Sequence, residues 1–193
     1  MQLIAISGGI GSGKSVVSRI LAAMGYAVYD CDSRAKTLMD SDGSIKKALT
    51  CSIHPQAVSP EGIIDRKIIA ETVFTDSGKL SALNRIVHGA VKSDLCSWAG
   101  SISRKQHTRA FVETAILYES GLDAFVDEVW RIEAPRKIRI ERVKARSGWP
   151  EHQITARMDA QDSYVPANPH NNVKVIINDG LTPVLPRIEA LLS

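Results

Sequence analysis

An apolar run, Leu3-Ile4-Ala5-Ile6, passes with a single serine between into Gly8-Gly9-Ile10-Gly11-Ser12-Gly13-Lys14-Ser15. Few folds accept that junction. The octet fits G-x-x-x-x-G-K-[ST], a loop that wraps phosphate. Glycines admit positive φ and let backbone N–H groups come close to oxygen. The amides over Gly9, Gly11, Ser12, Gly13, Lys14, Ser15 and Val16, and the N-terminus of the helix that follows, attract anions. Lys14 can reach the β and γ phosphates, and the Ser15 hydroxyl can bind the Mg²⁺ that accompanies them. The context is right: a strand reading over 2–7 precedes the loop, and apolar residues at Val16, Val17, Ile20, Leu21 and Met24 follow at helical spacing. Gly25 fits the end of that helix.

The next elements give the fold class. Residues 26–30 read as a short second strand, and strand–loop–helix–strand implies parallel pairing through a crossover helix. Residues 33–106 change character. Helical stretches over 33–40, 44–50, 65–73 and 78–102, broken by polar turns, read as an inserted helical lobe. Strand character returns over 109–117, 126–133 and 173–177. Helices are expected over 135–147, over 150–161 with Pro150 at its first position, and over 182–192 with Pro183 near its start. The expected class is α/β: a three-layer P-loop kinase fold with a parallel sheet flanked by helices, a helical acceptor-binding insertion and an Arg-rich lid. One domain over 1–193 is expected, with core about 1–34, 107–135 and 166–193, helical lobe about 35–106 and lid about 136–165.

A phosphate loop names the ligand class, not the reaction. Three features narrow it. Asp30-Cys31-Asp32 ends the second strand, at the sheet edge where parallel folds bind ligands, so a carboxylate there can take the proton of an attacking hydroxyl. The alternative is a helix N-cap by Asp32. Glu113 sits inside an apolar strand, where a charge needs compensation, and can hold water on Mg²⁺; the alternative is a solvated edge position. Arg139, Arg142 and Arg146 follow at spacings of three and four, one helical face suited to clamping phosphates. The alternative is a solvated basic face paired locally with Glu141. A guanine-reading N-K-x-D is not found. A small-molecule kinase with an inserted lobe and an arginine lid fits best.

The bulk numbers exclude other classes. A net charge of +3 over 193 residues is too small to argue for nucleic acid. No apolar stretch is long enough to span a membrane. Met1 leads into the first strand without a charged and apolar leader ahead of it, and the 3 cysteines lack metal-type spacing. A soluble cytoplasmic protein without an obligate protein partner is expected.

The ordered motifs resemble the dephospho-coenzyme A kinase family over nearly the whole chain. "SGGIGSGKS" is close to that family's phosphate loop, and "YDCDSRAK" looks like its D-x-D segment. "LNRIVHGAV" resembles its L-N-x-I-x-H-P, "VETAILYES" its D-x-P-L-L-F-E strand, and "IRIERVKAR" its lid. "ARMDAQ" and "VIINDG" match its closing elements. The resemblance implies ATP-dependent, Mg²⁺-requiring phosphorylation of the ribose 3′-hydroxyl of dephospho-CoA. By position it assigns Asp32 as the base, with Asp30 beside it. Lys14 and Ser15 take the phosphate and metal, Arg142 and Arg146 are the lid arginines, and His88 and Glu119 lie on the acceptor side. It makes the lobe about 35–106 the CoA-binding part.

The chain departs from the family pattern at several places. Gly89 stands where the family has proline, Glu113 where it has aspartate, Ala115 where it has proline, and Arg139 where it has glutamine. Another P-loop kinase, acting on a nucleoside monophosphate or small metabolite, and a non-catalytic nucleotide-binding regulator are the rival readings. His54, His107, His152 and His170 read as surface or local hydrogen-bonding residues. Trp98, Trp130 and Trp149 read as packing, with Trp149 a candidate cover for adenine, and Cys31 reads as packing.

Overall fold

The computed structural model describes residues 1–102 and 108–193. His107 and the expected boundary at 106/107 lie outside the described residues. The elements run β1 (Gln2–Ser7), α1 (Lys14–Ala23), β2 (Ala27–Asp30), α2 (Cys31–Ser41), α3 (Gly43–Ser52), α4 (Arg66–Thr75), α5 (Ser77–Ser101), β3 (Arg109–Glu113), β4 (Glu128–Glu133), α6 (Arg136–Ser147), α7 (Glu151–Asp162), β5 (Val173–Ile177) and α8 (Leu185–Leu192). They form two compact units, Met1–Tyr29 with Ile102–Ser193, and Asp30–Ser101.

The first unit is an α/β layer structure around a five-stranded sheet of order β2-β3-β1-β4-β5. β1 pairs in parallel with β3 and β4, and β4 with β5. Leu3, Ile4, Ala5 and Ile6 are all buried, as expected of a strand covered on both faces. Ile4, Ile6, Phe111, Trp130, Ile132 and Ile176 of the sheet pack with Val17 and Leu21 of α1 and Ile188 of α8. Tyr26 meets Phe111 edge-on with ring centroids 5.4 Å apart. β1 is central, and its C-terminal end is the point where connections leave to either side, the usual ligand position in such sheets. The register Ile6↔Glu113 sets Glu113 beside that end.

The second unit is helical. Ile45, Leu49, Ile53, Ala57, Ile64 and Ile69 form its core. Each of its four helices opens on an aspartate that accepts backbone N–H groups: Asp30 for α2, Asp42 for α3, Asp65 for α4 and Asp76 for α5. Arg34 of α2 binds Asp94 of α5 through two N–H donors at 2.8 and 2.6 Å.

The structure corrects several expected boundaries. The strand expected over 109–117 ends at Glu113. Thr114 Oγ1 accepts the Ile116 N–H at 3.2 Å and turns the chain out of the sheet, while Leu117 stays buried in the loop. The apolar run therefore outlasts the strand. The strand expected over 126–133 begins at Glu128. Pro150 is the N-cap of α7 rather than its first residue. Pro186, not Pro183, occupies the first turn of α8, because Asp179 accepts from Leu181 and Thr182 N–H and holds that stretch as a turn.

Candidate nucleotide and phosphoryl-transfer site

The loop between β1 and α1 takes positive φ at Gly8, Gly11 and Gly13. Gly13, at φ 96, is the N-cap of α1. A Cβ there would lie 2.0 Å from Asn178 Nδ2, and one at Gly8 would lie 2.3 Å from the Ile132 carbonyl oxygen. Neither position accepts a side chain. The first turn of α1 carries no acidic residue, so its N-terminal partial charge is left for a ligand. Lys14 Nζ donates to the Gly8 and Gly9 carbonyl oxygens at 2.8 and 3.3 Å, which folds the lysine back across its own loop.

Ser15 Oγ donates to Glu113 Oε1 at 2.9 Å. The sheet register accounts for this pair, since Glu113 is the last residue of β3, one strand from the loop. A hydroxyl and a carboxylate meeting at the helix N-terminus are hard oxygen donors that fit a phosphate-bound Mg²⁺, which takes few protein ligands and keeps water. Among the described residues no group of three or more His, Cys, Asp or Glu could hold a metal alone.

Helices α6 and α7 pack against the loop. Val143, Ile154 and Met158 form a small core of α6 and α7, and Ile10 of the loop packs into it with Ile140 and Trp149. Ile10 is held at both polar groups: its N–H donates to Gln161 Oε1 at 2.8 Å, and its carbonyl accepts from Arg139 Nε at 3.0 Å. Arg139 is only 12% exposed and pairs with Asp162 at 3.5 Å. Its Nη2 and the Ser12 hydroxyl are buried without a hydrogen-bond partner among the described residues. Arg142 donates to the carbonyl oxygens of Ser12 and Asn178 and to Asn178 Oδ1, at 3.3, 3.0 and 3.1 Å. Arg146 lines a hollow of about 270 Å³ with Gly11, Gly13, Lys14, Ser15, Val16, Arg19 and Arg142. Trp149 carries the Arg157 guanidinium of α7 4.2 Å over its ring, so that face is covered.

Glu119 is exposed and borders a hollow of about 410 Å³ that reaches the start of the loop at Gly8 and Gly9 and is lined further by Tyr118, Arg131 and Tyr164.

Asp30, Asp32 and His88 belong to the helical unit. Asp30 caps α2: its Oδ1 accepts from the Asp32 and Ser33 N–H groups at 3.0 and 3.1 Å, and its Oδ2 from the Ser33 hydroxyl at 2.6 Å. The N-cap is thus Asp30, not Asp32. The two aspartates divide the work: Asp30 is spent on the helix, whereas the exposed Asp32 carboxylate makes no hydrogen bond among the described residues. His88 is half-buried within α5. Burial first, and the Lys92 charge second, hold its pKa below the usual 6.5, so the ring is neutral at pH 7. Gly89 lies inside α5, which runs unbroken over Ser77–Ser101. No atom within 4 Å would meet a Cβ at Gly89.

Gln161 and Asn178, within "ARMDAQ" and "VIINDG", carry no sequence signal of the contacts they make with the loop. Nothing in their residue type marks them, and only their contacts with the loop do.

Comparison with known proteins agrees with this geometry. The profile of the dephospho-CoA kinase family matches residues 2–182. A dephospho-CoA kinase from Porphyromonas gingivalis is 43% identical over 162 residues, 84% of this chain and 78% of its own length. One from Bacteroides fragilis is 36% identical over 191 residues, 98% and 91%. A crystal structure of a Thermus thermophilus protein superposes with a TM-score of 0.76 at 30% identity, covering 99% of this chain and 94% of that one. A family match over residues 2–182, together with relatives 43% and 36% identical over most of the chain, means that the chain belongs to the dephospho-CoA kinase family, enzymes that phosphorylate dephospho-CoA in coenzyme A synthesis.

Proposed function

We propose that the chain carries out its family's reaction by transferring the γ-phosphoryl group of ATP to the ribose 3′-hydroxyl of dephospho-CoA, with Asp32 as base. The observation that carries the site assignment is the Ser15–Glu113 hydrogen bond of 2.9 Å beside the Lys14-braced loop. The loop amides Gly9, Gly11, Ser12, Gly13, Lys14, Ser15 and Val16 receive the phosphates. Lys14 exchanges its bonds to the Gly8 and Gly9 carbonyls for phosphate oxygen. Arg142 and Arg146, which border the same hollow as Lys14 and Ser15, stabilise charge on the transferring group. Ser15 and, through water, Glu113 would hold Mg²⁺, which would supply positive charge to the phosphates.

Asp32 takes the hydroxyl proton as the new P–O bond forms and the bond to ADP breaks. Its exposed carboxylate, which makes no hydrogen bond among the described residues, supports that role. Asp30 acts through the backbone turn that presents Asp32, while His88 and Glu119 bind the acceptor. The lobe about 35–106 is assigned to the CoA moiety and 136–165 to the lid. The protein is assigned to the cytoplasm, without an obligate protein partner. Its three cysteines form no disulfide among the described residues, and no described helix is long and apolar enough to cross a membrane.

One coupled assay tests the proposal: ADP formation from ATP with dephospho-CoA, with nucleoside monophosphates, and with no acceptor. Turnover confined to dephospho-CoA and a 3′-phosphorylated product are expected. Turnover only with a monophosphate would reassign the acceptor, and no acceptor-dependent turnover in any arm would favour a non-catalytic nucleotide-binding regulator.

A further inference from the structure

Asn178, in the turn after β5, is 7% exposed and uses every polar group it has. Its N–H donates to the Glu133 carbonyl at 2.7 Å, and its carbonyl accepts from Arg142 Nη1 at 3.0 Å. Its side-chain Oδ1 accepts from Arg142 Nη2 at 3.1 Å, while Nδ2 donates to the Ser12 carbonyl at 2.9 Å. Arg142 Nη1 reaches the same Ser12 oxygen at 3.3 Å. Two donors from distant parts of the chain thus converge on one carbonyl of the phosphate loop.

That carbonyl belongs to the Ser12–Gly13 peptide. A peptide unit is planar and, here, trans, so fixing the C=O fixes the opposed N–H. With its Ser12 oxygen held toward Asn178, the peptide turns the Gly13 N–H away from Asn178. Gly13 is also the N-cap of α1, and the absence of a Cβ is what lets Nδ2 approach.

We propose that Asn178 is a positioning residue for the nucleotide's phosphates: it locks the Ser12–Gly13 peptide so that the Gly13 amide faces the phosphate site, and it aims Arg142. The proposal rests on the nucleotide-binding reading of the loop and not on the identity of the acceptor. Asn178 acts through the loop, so its effect scales with the phosphates of the ligand rather than with its base.

The test measures binding of ADP and, separately, of adenosine to the wild type, Asn178→Ala and Asn178→Asp, without acceptor, alongside thermal melting. Loss of the two side-chain hydrogen bonds, to the Ser12 carbonyl and from Arg142, and of the preset amide corresponds to an ADP Kd raised about tenfold in Asn178→Ala, with adenosine binding unchanged. Asn178→Asp keeps an acceptor for Arg142 but sets a carboxylate oxygen against the Ser12 carbonyl. It loses ADP affinity at least as strongly. Should the alanine variant not fold, the aspartate variant is read alone. Wild-type ADP affinity in the variants, with a change in melting only, overturns the proposal. So does an equal loss of adenosine and ADP, which would mean a contact with the base. A normal Asn178→Asp beside a weakened Asn178→Ala also overturns it, since Asn178 would then act through Arg142 alone. Dephospho-CoA takes no part in these measurements, so they stand or fall separately from the acceptor assignment.

Discussion

The Ser15 hydroxyl donates to the Glu113 carboxylate at 2.9 Å, joining the first turn of α1 to the last residue of β3 across 98 positions of sequence. The parallel register of β1 and β3 produces the contact, since Ile6 and Glu113 are opposite each other where both strands end. Replacing Glu113 with glutamine keeps an acceptor for Ser15 and removes the charge. Expected is a fall in kcat of about 10²-fold and a higher Mg²⁺ concentration for half-maximal rate, with little change in melting temperature. A Mg²⁺ titration of initial rates checks it, and an unchanged requirement would remove Glu113 from the metal site.

Asp32→Asn separates the base from the cap. Asp30 makes the capping bonds, so the helix is retained. Phosphoryl transfer is expected to drop by about 10²–10⁴-fold while ATP affinity holds. Near-normal turnover with dephospho-CoA would rule out Asp32 as the proton acceptor.

Lys14→Ala removes the charge on the phosphates together with the brace to Gly8 and Gly9. The fold, measured by circular dichroism, is expected to survive with transfer nearly abolished. Intact activity would undo the phosphate reading of the loop.

Gly13→Ala is expected to damage stability and nucleotide binding together. The left-handed backbone alone costs about 1–2 kcal/mol for a residue with a Cβ. The added carbon would also lie 2.0 Å from Asn178 Nδ2, so the amide must move. A denaturant titration and an ADP binding curve on the same sample measure both. A variant as stable and as tight as the wild type would contradict the close approach of Asn178.

His88 gives a pH dependence of defined sign. Its folded pKa lies below the unfolded 6.5, so the unfolded chain binds more protons between the two values. This site costs nothing above the unfolded pKa, where both states are neutral. As pH falls below it, the site destabilises the fold until the folded pKa is reached. The stability lost by the wild type between about pH 8 and about pH 5 is expected to exceed that lost by His88→Gln. Equal losses from denaturant midpoints would remove His88 as a buried neutral ring.

The sheet, the crossover, the helical insertion and the phosphate loop were legible because each depends on local stereochemistry: apolar period, glycine φ and helix spacing. Less legible were element ends, such as the stop of β3 at Glu113, where a Thr114 side-chain bond overrides an apolar run. The acidic pair after β2 shows the same limit. Residue type marks both Asp30 and Asp32 as candidates, but only geometry decides that Asp30 is consumed by the cap.

By itself the sequence determined a glycine-rich loop at Gly8–Ser15 between a strand and a helix, with Lys14 and Ser15 at its end, and arginines at 139, 142 and 146 on one helical face. Tertiary structure alone decided what shapes the loop. Gln161 grips Ile10, and Asn178 grips Ser12 from 166 residues away. An amide side chain is both donor and acceptor and carries no charge or period to announce its partner. Its role exists only once folding has set it opposite a particular peptide group.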